Sequence, residues 1–412
     1  MDEREMKGLQ IAALSKLSKR EGYWEVPSQS GNGTYQVNLQ KGYCSCPDHE
    51  TRQVKCKHQW AVAFMLKREY NVDGTVTDTI RETISESTEV RVTYAQSWSA
   101  YNAAQIEEKT RFIALLSDLC QNVQQPTQVN GRPRLPLSEM VFSCAYKVYS
   151  GFSSRRFSCD LKEAKAEGLI THAPHFNSVS NYLAAPELTQ ILRDLVTVSS
   201  LPLKSVESQF AIDSSGFSTS RFVKWFNKKY GRDVDNREWV KVHLVCGTQT
   251  HIVTAVDISG WAANDTPYFK PLLESTARHF AVAEISADKA YLSHSNVDVA
   301  ASLGVTPFIP FKVNTFPVSD DSNWAKMYHW FMFNRESYLE HYHRRSNVET
   351  VFSMIKGKFG DAIRSKDDTA QVNEVLCKVL CHNICVLVQS IHELGIAPTF
   401  CAENSAAQKV PA

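Results

Sequence analysis

The sequence predicts an α/β protein in three parts: a mixed-sheet domain in the C-terminal half, a helical domain before it, and a small ββα metal module at the N-terminus. Three observations carry this. Beyond Ser205 the apolar period changes to two, and strand and helix patterns then alternate, as in a sheet layered with helices. From about 100 to 200 the pattern is mainly helical. Near the N-terminus an Asn-Gly hairpin signal runs straight into a cluster of cysteine and histidine.

Taken in order, residues 22–44 hold two short strands, YWEVPSQS and TYQVNLQKGYC, joined across Gly31, Asn32, Gly33 and Thr34, where Asn-Gly suits the positive-φ positions of a tight turn. QWAVAFMLKR, from Gln59 to Arg68, reads as a helix, and NVDGTVTDTIRETISESTE after it as a linker or a solvated helix. The helical domain is interrupted by GRPRLPL at 131–137 and HAPHFNS at 172–178. SQFAIDSSGF then reads as a strand ending in a Ser-Gly turn, and WVKVHLVCGTQTHIVTAVDIS as a hairpin turning at Gly247 to Thr250. The helix PYFKPLLESTARHF, the strand VAEISAD, the helix SNVDVAASLG and the strand VTPFIPF follow. Long helices from about Ser337 to Phe359 and from about Gln371 to Leu394 complete the domain. The boundaries are 1–70 for the metal module, 71–99 for an acidic linker, 100–204 for the helical domain, 205–395 for the mixed-sheet domain and 396–412 for a tail.

With 412 residues, 43% apolar and 22% charged, and a mean hydropathy of −0.30, the chain can bury a sizeable core, which excludes a lone small module and wholesale disorder. Lys plus Arg number 45 against 44 Asp plus Glu, and the total of +1 gives no sign of a nucleic-acid partner. The N-terminus lacks the apolar run of a signal peptide, and no stretch approaches the roughly 18 apolar residues of a membrane span. An intracellular protein without a membrane partner is expected, in a nucleus or in a bacterial cytoplasm close to the nucleoid. Eleven cysteines, an odd number with three tightly clustered, favour reduced thiols and a metal site over a disulfide framework.

Cys44, Cys46, Cys56 and His58 form C-x-C-x9-C-x-H, two short ligand pairs with the second at the mouth of a helix. Three thiolates and one imidazole are a closed tetrahedral set for one Zn²⁺, and closed sets are structural. Buried free cysteines are the bland alternative. His49 competes with His58 for the fourth place, although it falls in the intervening loop. Around the cluster Arg52, Lys55, Lys57, Lys67 and Arg68 give +5 with no acid between 52 and 68, a phosphate-facing surface or the solvated face of a protein-binding module. A second thiol set, Cys377, Cys381 and Cys385, lies at i, i+4 and i+8 among Val375, Leu376, Leu380 and Ile384, as the buried face of the last helix.

Three acids fall where a mixed sheet would gather them. Asp213 lies near the end of AIDSSG and Asp288 ends a later strand in ISADKAY; if those strands are parallel neighbours, both carboxylates share one edge of the sheet. Glu349 lies in the long helix. At about 100° per residue, Tyr342, Arg345, Glu349 and Lys356 share an arc of about 60° beside an apolar face of Val348, Val351, Phe352, Ile355 and Phe359. Such a stripe suits a phosphate-handling site, and equally a helix stabilised by its own charge pairs. Three carboxylates suit Mg²⁺, which prefers hard oxygen ligands, and two such ions carry out in-line phosphoryl transfer.

A hairpin, C-x-C, a loop, C-x-H and an apolar helix resemble the SWIM zinc finger, a family whose modules bind DNA or protein and of which several are attached to transposases. Tyr342-x2-Arg345-x3-Glu349-x6-Lys356 resembles the signature of DDE-type insertion-sequence transposases with a ribonuclease H-like catalytic domain. AIDSSGF and ADKAY resemble the motifs carrying that family's first two acids, and the likeness spans about residues 130–390. The resemblance implies Asp213, Asp288 and Glu349 as ligands of two Mg²⁺ or Mn²⁺ ions, and Tyr342, Arg345 and Lys356 as contacts to DNA phosphates. It implies double-stranded DNA as partner, at the element's ends and at the target, and a homodimer in the synaptic complex. The implied activity is binding of terminal inverted repeats, strand cleavage and strand transfer. A catalytically inactive transposase-derived DNA-binding protein is a second reading, and another ribonuclease H-like nuclease a third.

Some relatives carry a large β-rich insertion between the second Asp and the Glu, whereas here only Val313 to Glu336 intervene, with Trp324 and Trp330 as base-stacking, core or lid aromatics. End recognition would fall to the helical domain, through Arg132 and Arg134 in a minor groove and through a helix-turn-helix unit around Ser154-Arg155-Arg156 and Ser178 to Leu183, unless that domain is purely structural. By region the +1 is an average: basic stretches at 52–68, 132–156, 221–229 and 344–366 are balanced largely elsewhere, including five acids against one Arg from Asp73 to Glu89.

Overall fold

The computed structural model describes residues 3–29, 33–70, 76–80, 97–128, 130–131, 133–219, 239–312, 315 and 322–401, without the side chains of 13, 67–70 and 76–80. These form two compact units, Met1–Tyr94 with Phe311–Leu339, and Ala95–Pro310 with Glu340–Ala412.

In the first unit, α1 (Glu3–Leu14) precedes a sheet of β1 (Ser18–Arg20), β2 (Tyr23–Pro27), β3 (Thr34–Asn38) and β4 (Tyr43–Cys44), antiparallel and paired in that order. Alternation along β2 buries Trp24 and Val26 against Val37, Ile11, Ala61 and Val62. Most of the expected turn, 30–32, lies outside the described residues. Two short helices follow, α2 (Pro47–Arg52) and α3 (Lys57–Met65). At Gly8 helix α1 meets α3 so closely that a Cβ would stand 2.4 Å from that of Trp60 and 2.8 Å from the Lys57 carbonyl oxygen. The helix expected to reach Arg68 stops at Met65, because the chain becomes extended at Leu66 and β5 (Leu66–Tyr70) pairs with β6 (Val76–Ile80). VTDTI is therefore a strand rather than a linker or solvated helix, in keeping with its β-branched residues; 81–96 lie outside the described residues.

The second unit begins with α4 (Trp98–Gln121), α5 (Leu137–Ser150), α6 (Ser154–Ala166), α7 (Phe176–Leu183) and α8 (Pro186–Ser200). Next come β7 (Gln209–Ser218), β8 (Trp239–Gly247), β9 (Val253–Gly260), α9 (Thr266–Ala277), β10 (Glu284–Ala287), α10 (His294–Ser302) and β11 (Thr306–Phe308). After α11 (Asn323–Phe333), which belongs to the first unit, the chain ends in α12 (Arg335–His343), α13 (Ser346–Phe359) and α14 (Asp368–Leu394). The sheet order is β11-β10-β7-β8-β9, with β10 and β11 parallel to β7 and β8 antiparallel to both of its neighbours. This is the mixed, ribonuclease H-like layer that the resemblance implies.

Alternation divides the sheet into two faces. Phe210, Ile212, Val245 and Ala255 pack with Phe269 and Leu273 of α9. Ala211, Phe217, Val242 and Leu244 share a core with α13, α14 and the helices before the sheet. Helix α14 is buried nearly all round, because sheet and helices enclose it. Contrary to the sequence expectation it is long and apolar enough to cross a membrane, yet 78% of that window is buried inside the protein, and Cys377 and Cys381 face the core.

Two further expectations are corrected. Ser215-Gly216 is not a turn: β7 runs through it, and the glycine admits the Trp239 indole, which would stand 2.8 Å from a Cβ there. The single helix expected from Ser337 to Phe359 is broken into α12 and α13 at Arg344-Arg345. In the first unit Trp324 is a core aromatic, buried edge-on to Phe311 with ring centroids 5.0 Å apart, and Gln10 of α1 donates to the Tyr328 hydroxyl at 2.9 Å.

Candidate active site and metal centre

Strand register sets two of the acids level with each other. Parallel pairing of β10 with β7 sets Ala287 beside Ile212, so Asp288, just past β10, lies level with Asp213 within β7. Asp213 alternates onto the face of Ala211 and Phe217, the face covered by α13. That helix docks through Val348, Val351 and Ile355, all fully buried, and leaves the Glu349 side chain 59% exposed at the margin.

Arg345, at the break before α13, joins two of the acids. Its Nη1 donates to Asp213 Oδ2 at 2.7 Å and its Nη2 to Glu349 Oε1 at 2.5 Å, one planar fork across two carboxylates. Asp288 Oδ1 accepts the Lys289 amide at 2.7 Å, which fixes it at the head of a short 3₁₀ turn. Lys356 Nζ donates to Ser215 Oγ at 2.6 Å, two positions along β7 from Asp213, and lies over the Phe217 ring at 5.2 Å. Tyr342, half-buried in the last turn of α12, stands beside the His343 ring. The break removes Tyr342 from the continuous stripe expected of one helix; Arg345 and Glu349 keep their i,i+4 contact.

Electrostatics links the same groups. Burial pushes the Asp213 carboxyl above its ordinary range, the Ser214 amide and Arg345 oppose it, and the charges of Asp288 and Glu349 raise it further. Burial works against the Arg345 charge, but its bond to Glu349 and the nearby Asp213 hold it above the usual guanidinium value. Lys356 is lowered by burial. Carboxylate oxygens are the right donors for a hard divalent cation. The three do not form a set of mutually close ligand atoms, and between Asp213 and Glu349 the bridging charge is that of Arg345.

Ser215 was not legible as a site residue; the alternation that puts it on the face of Asp213 is the signal that could have found it. Several cations of the basic stretch 344–366 are engaged within the chain. Arg344 pairs with Glu284, Lys358 with Glu108, and Arg364 donates to the Phe152 carbonyl at 3.2 Å. Arg134 is exposed; Arg132 and 221–229 lie outside the described residues. Arg155 lies over the Phe176 ring at 5.5 Å, and residues 167–175 separate α6 from α7, more than the three or four residues of a compact helix-turn-helix.

In the first unit Cys44 ends β4, Cys46 caps α2, and Cys56 caps α3, in which His58 is the second residue. All four are buried, and their ligating atoms lie within 4.8 Å of one another, the one such set among the described residues. His58 Nδ1 stands 3.9 Å from both Cys44 Sγ and Cys56 Sγ. Tetrahedral zinc ligands at about 2.0–2.3 Å from the ion lie roughly 3.5–3.8 Å apart, so the set fits Zn²⁺ with little movement. The bond with Cys44 holds the Cys56 thiol well below its ordinary range and pushes Cys44 up. One thiolate is already favoured there. Cys56 N donates to Gln59 Oε1 at 2.9 Å, and Gln59 Nε2 to the Gly42 carbonyl at 2.7 Å, which holds the ligand-bearing ends together. His49 stands apart, in a helix rather than a loop, with Nδ1 2.8 Å from the Val54 carbonyl. Nearby cations also have partners: Arg52 pairs with Asp48 at 3.2 Å, and Lys55 lies 3.3 Å from the Trp60 ring centre.

Residues 204–384 match the family model of the transposase DDE domain, and residues 35–67 that of the SWIM zinc finger. No solved structure matches the chain.

Proposed function

We propose that this chain, which carries a transposase DDE domain and a SWIM zinc finger, binds the terminal inverted repeats of a DNA element, cleaves its ends and joins them to target DNA. What supports the reading most is the Arg345 fork between Asp213 and Glu349, with Asp288 level with Asp213 on the neighbouring strand. In this reading Asp213, Asp288 and Glu349 hold two Mg²⁺ or Mn²⁺ ions. When bound, these ions activate a water or 3′-hydroxyl and neutralise the leaving oxygen. Arg345 offers a phosphate the guanidinium N–H groups that its bonds to Asp213 and Glu349 leave over, Lys356 a point charge steadied by Ser215, and Tyr342 a hydroxyl on a stacking face. Cys44, Cys46, Cys56 and His58 hold one structural Zn²⁺. The segment 100–204 recognises the element's ends, two copies synapse them, and the protein works inside the cell on nucleoid DNA.

The decisive experiment incubates purified protein with Mg²⁺ and a donor carrying the element's ends. Binding by the parent and by Asp213→Ala, Asp288→Ala and Glu349→Ala, with cleavage by the parent only, is the expected result. Cleavage surviving any of the three changes would reject the assignment. A parent that binds ends but never cuts them would be an inactive descendant, and one that cuts branched DNA regardless of terminal sequence a structure-selective nuclease.

A further inference from the structure

We infer that Glu284 is a positioning residue for this site, pinning the break between α12 and α13 so that Arg345, and not its neighbour Arg344, is aimed at the acids; the inference rests on the transposase reading. On β10, Ile285 and Ala287 point into the α9 core, so Glu284, Ser286 and Asp288 alternate onto the opposite face. Glu284 lies four residues before Asp288, about 13 Å along an extended strand. It is too far to touch the reacting atoms, and it acts through the break.

Its carboxylate is buried and has two cationic or proton-donating partners from that break. Oε2 lies 2.6 Å from His341 Nδ1, and Oε1 accepts from Arg344. Ser286 Oγ donates to the His341 carbonyl at 2.9 Å, and the His341 ring stacks on Phe308 of β11 at 4.4 Å between centroids. On the far side Asn347 Nδ2 donates to the Arg344 carbonyl at 2.9 Å, and Asn347 Oδ1 meets His251 Nε2 at 3.1 Å. The backbone is thereby held on both sides of Arg345. Two consecutive arginines part at the break, Arg344 reaching Glu284 and Arg345 reaching Asp213 and Glu349. Glu284 sorts them: with Arg344 neutralised from below, Asp213 and Glu349 receive Arg345 alone. Without Glu284, a half-buried Arg344 would lose its carboxylate, and the break that carries Arg345 would be free to shift it off those acids.

The test uses the full chain with zinc bound. Glu284→Gln should lower single-turnover cleavage of end DNA by at least about tenfold while leaving the Kd for that DNA within about twofold. In an Arg345→Lys background the same change should cost less than about twofold, because both act through one guanidinium. Equal losses in the two backgrounds, or a parent-like rate, would overturn the inference. Hydrogen exchange gives a readout independent of cutting: the amides of Arg345 and Val348 should exchange faster in Glu284→Gln, with β7 to β9 unchanged. Unchanged exchange at those amides, in a parent that cleaves, would defeat this inference alone, whereas a parent that never cleaves would defeat the reading beneath it. Should the glutamine variant not fold, Glu284→Asp keeps the buried charge but is one methylene too short to hold both partners; a parent-like rate there would overturn the inference too.

Discussion

Lys356 shows how much a single contact in this site depends on the fold. Its ammonium is half-buried, lowered by that burial, and steadied by Ser215 Oγ at 2.6 Å. Removing the charge should matter more than removing the rest it leans on. Lys356→Ala is expected to lower end cleavage by about 10- to 100-fold and Ser215→Ala by about threefold, measured as single-turnover rates with binding checked separately. At the zinc set, Cys56→Ser should abolish stoichiometric zinc, read by metal analysis of purified protein; full zinc content in that variant would refute the ligand assignment. The Cys/His set stood out in the sequence because its spacing is local, and the three acids because each lies in a short motif of its own. Ser215 and Glu284 did not, since each gains its meaning from a partner 141 or about 60 positions away.

Elements meet where side chains are missing as well as where they interlock. Gly8 lets α1 lie against α3, and an added methyl would sit 2.4 Å from Trp60 Cβ and 2.8 Å from a backbone oxygen. Neither can swing away as a flexible side-chain end would. Gly8→Ala should therefore destabilise the first unit by about 1–3 kcal/mol and lower the chelator concentration that strips its zinc, both measurable by urea unfolding and competition with a metal indicator. A stability equal to the parent's would mean the helices separate freely. The break at Arg344-Arg345 is the other element-scale feature. Helical periodicity runs unbroken through Tyr342, Arg345 and Glu349, because no proline or glycine marks the interruption. Contacts from β10 and β11, which no local pattern contains, fix it.

Across the whole molecule, two buried histidines tie stability to pH. Burial lowers His243 to about 4, against Asp265, which favours its charge; burial likewise lowers His382 to about 4 while it donates to the His251 carbonyl at 2.9 Å. Each folded value lies below the unfolded one near 6.5, so the unfolded chain takes up the proton first. The stabilisation is complete above about pH 6.5 and is lost as pH falls from there through about 4, by at most about 3 kcal/mol per histidine. Urea midpoints should hold level from pH 7.5 to about 6.5 and fall from there to pH 4.5, and His382→Gln should flatten that fall; an unaltered slope would exclude His382 as a contributor.

The sequence alone determined the mixed sheet, the Cys/His set, the order of Asp213, Asp288 and Glu349 and the apolar face of the helix bearing the last of them. Each depends on periodicity or on residues close in the chain, and the physics of strands, helices and metal ligands acts at that range. Only the tertiary structure decided that the helices before the sheet share its core through α14, that β5 and β6 replace a linker, and that two adjacent arginines part company, one to Glu284 and one to Asp213 and Glu349. Those outcomes turn on which strands lie side by side. Strand order is settled by burial over the whole chain, and no window of sequence contains it.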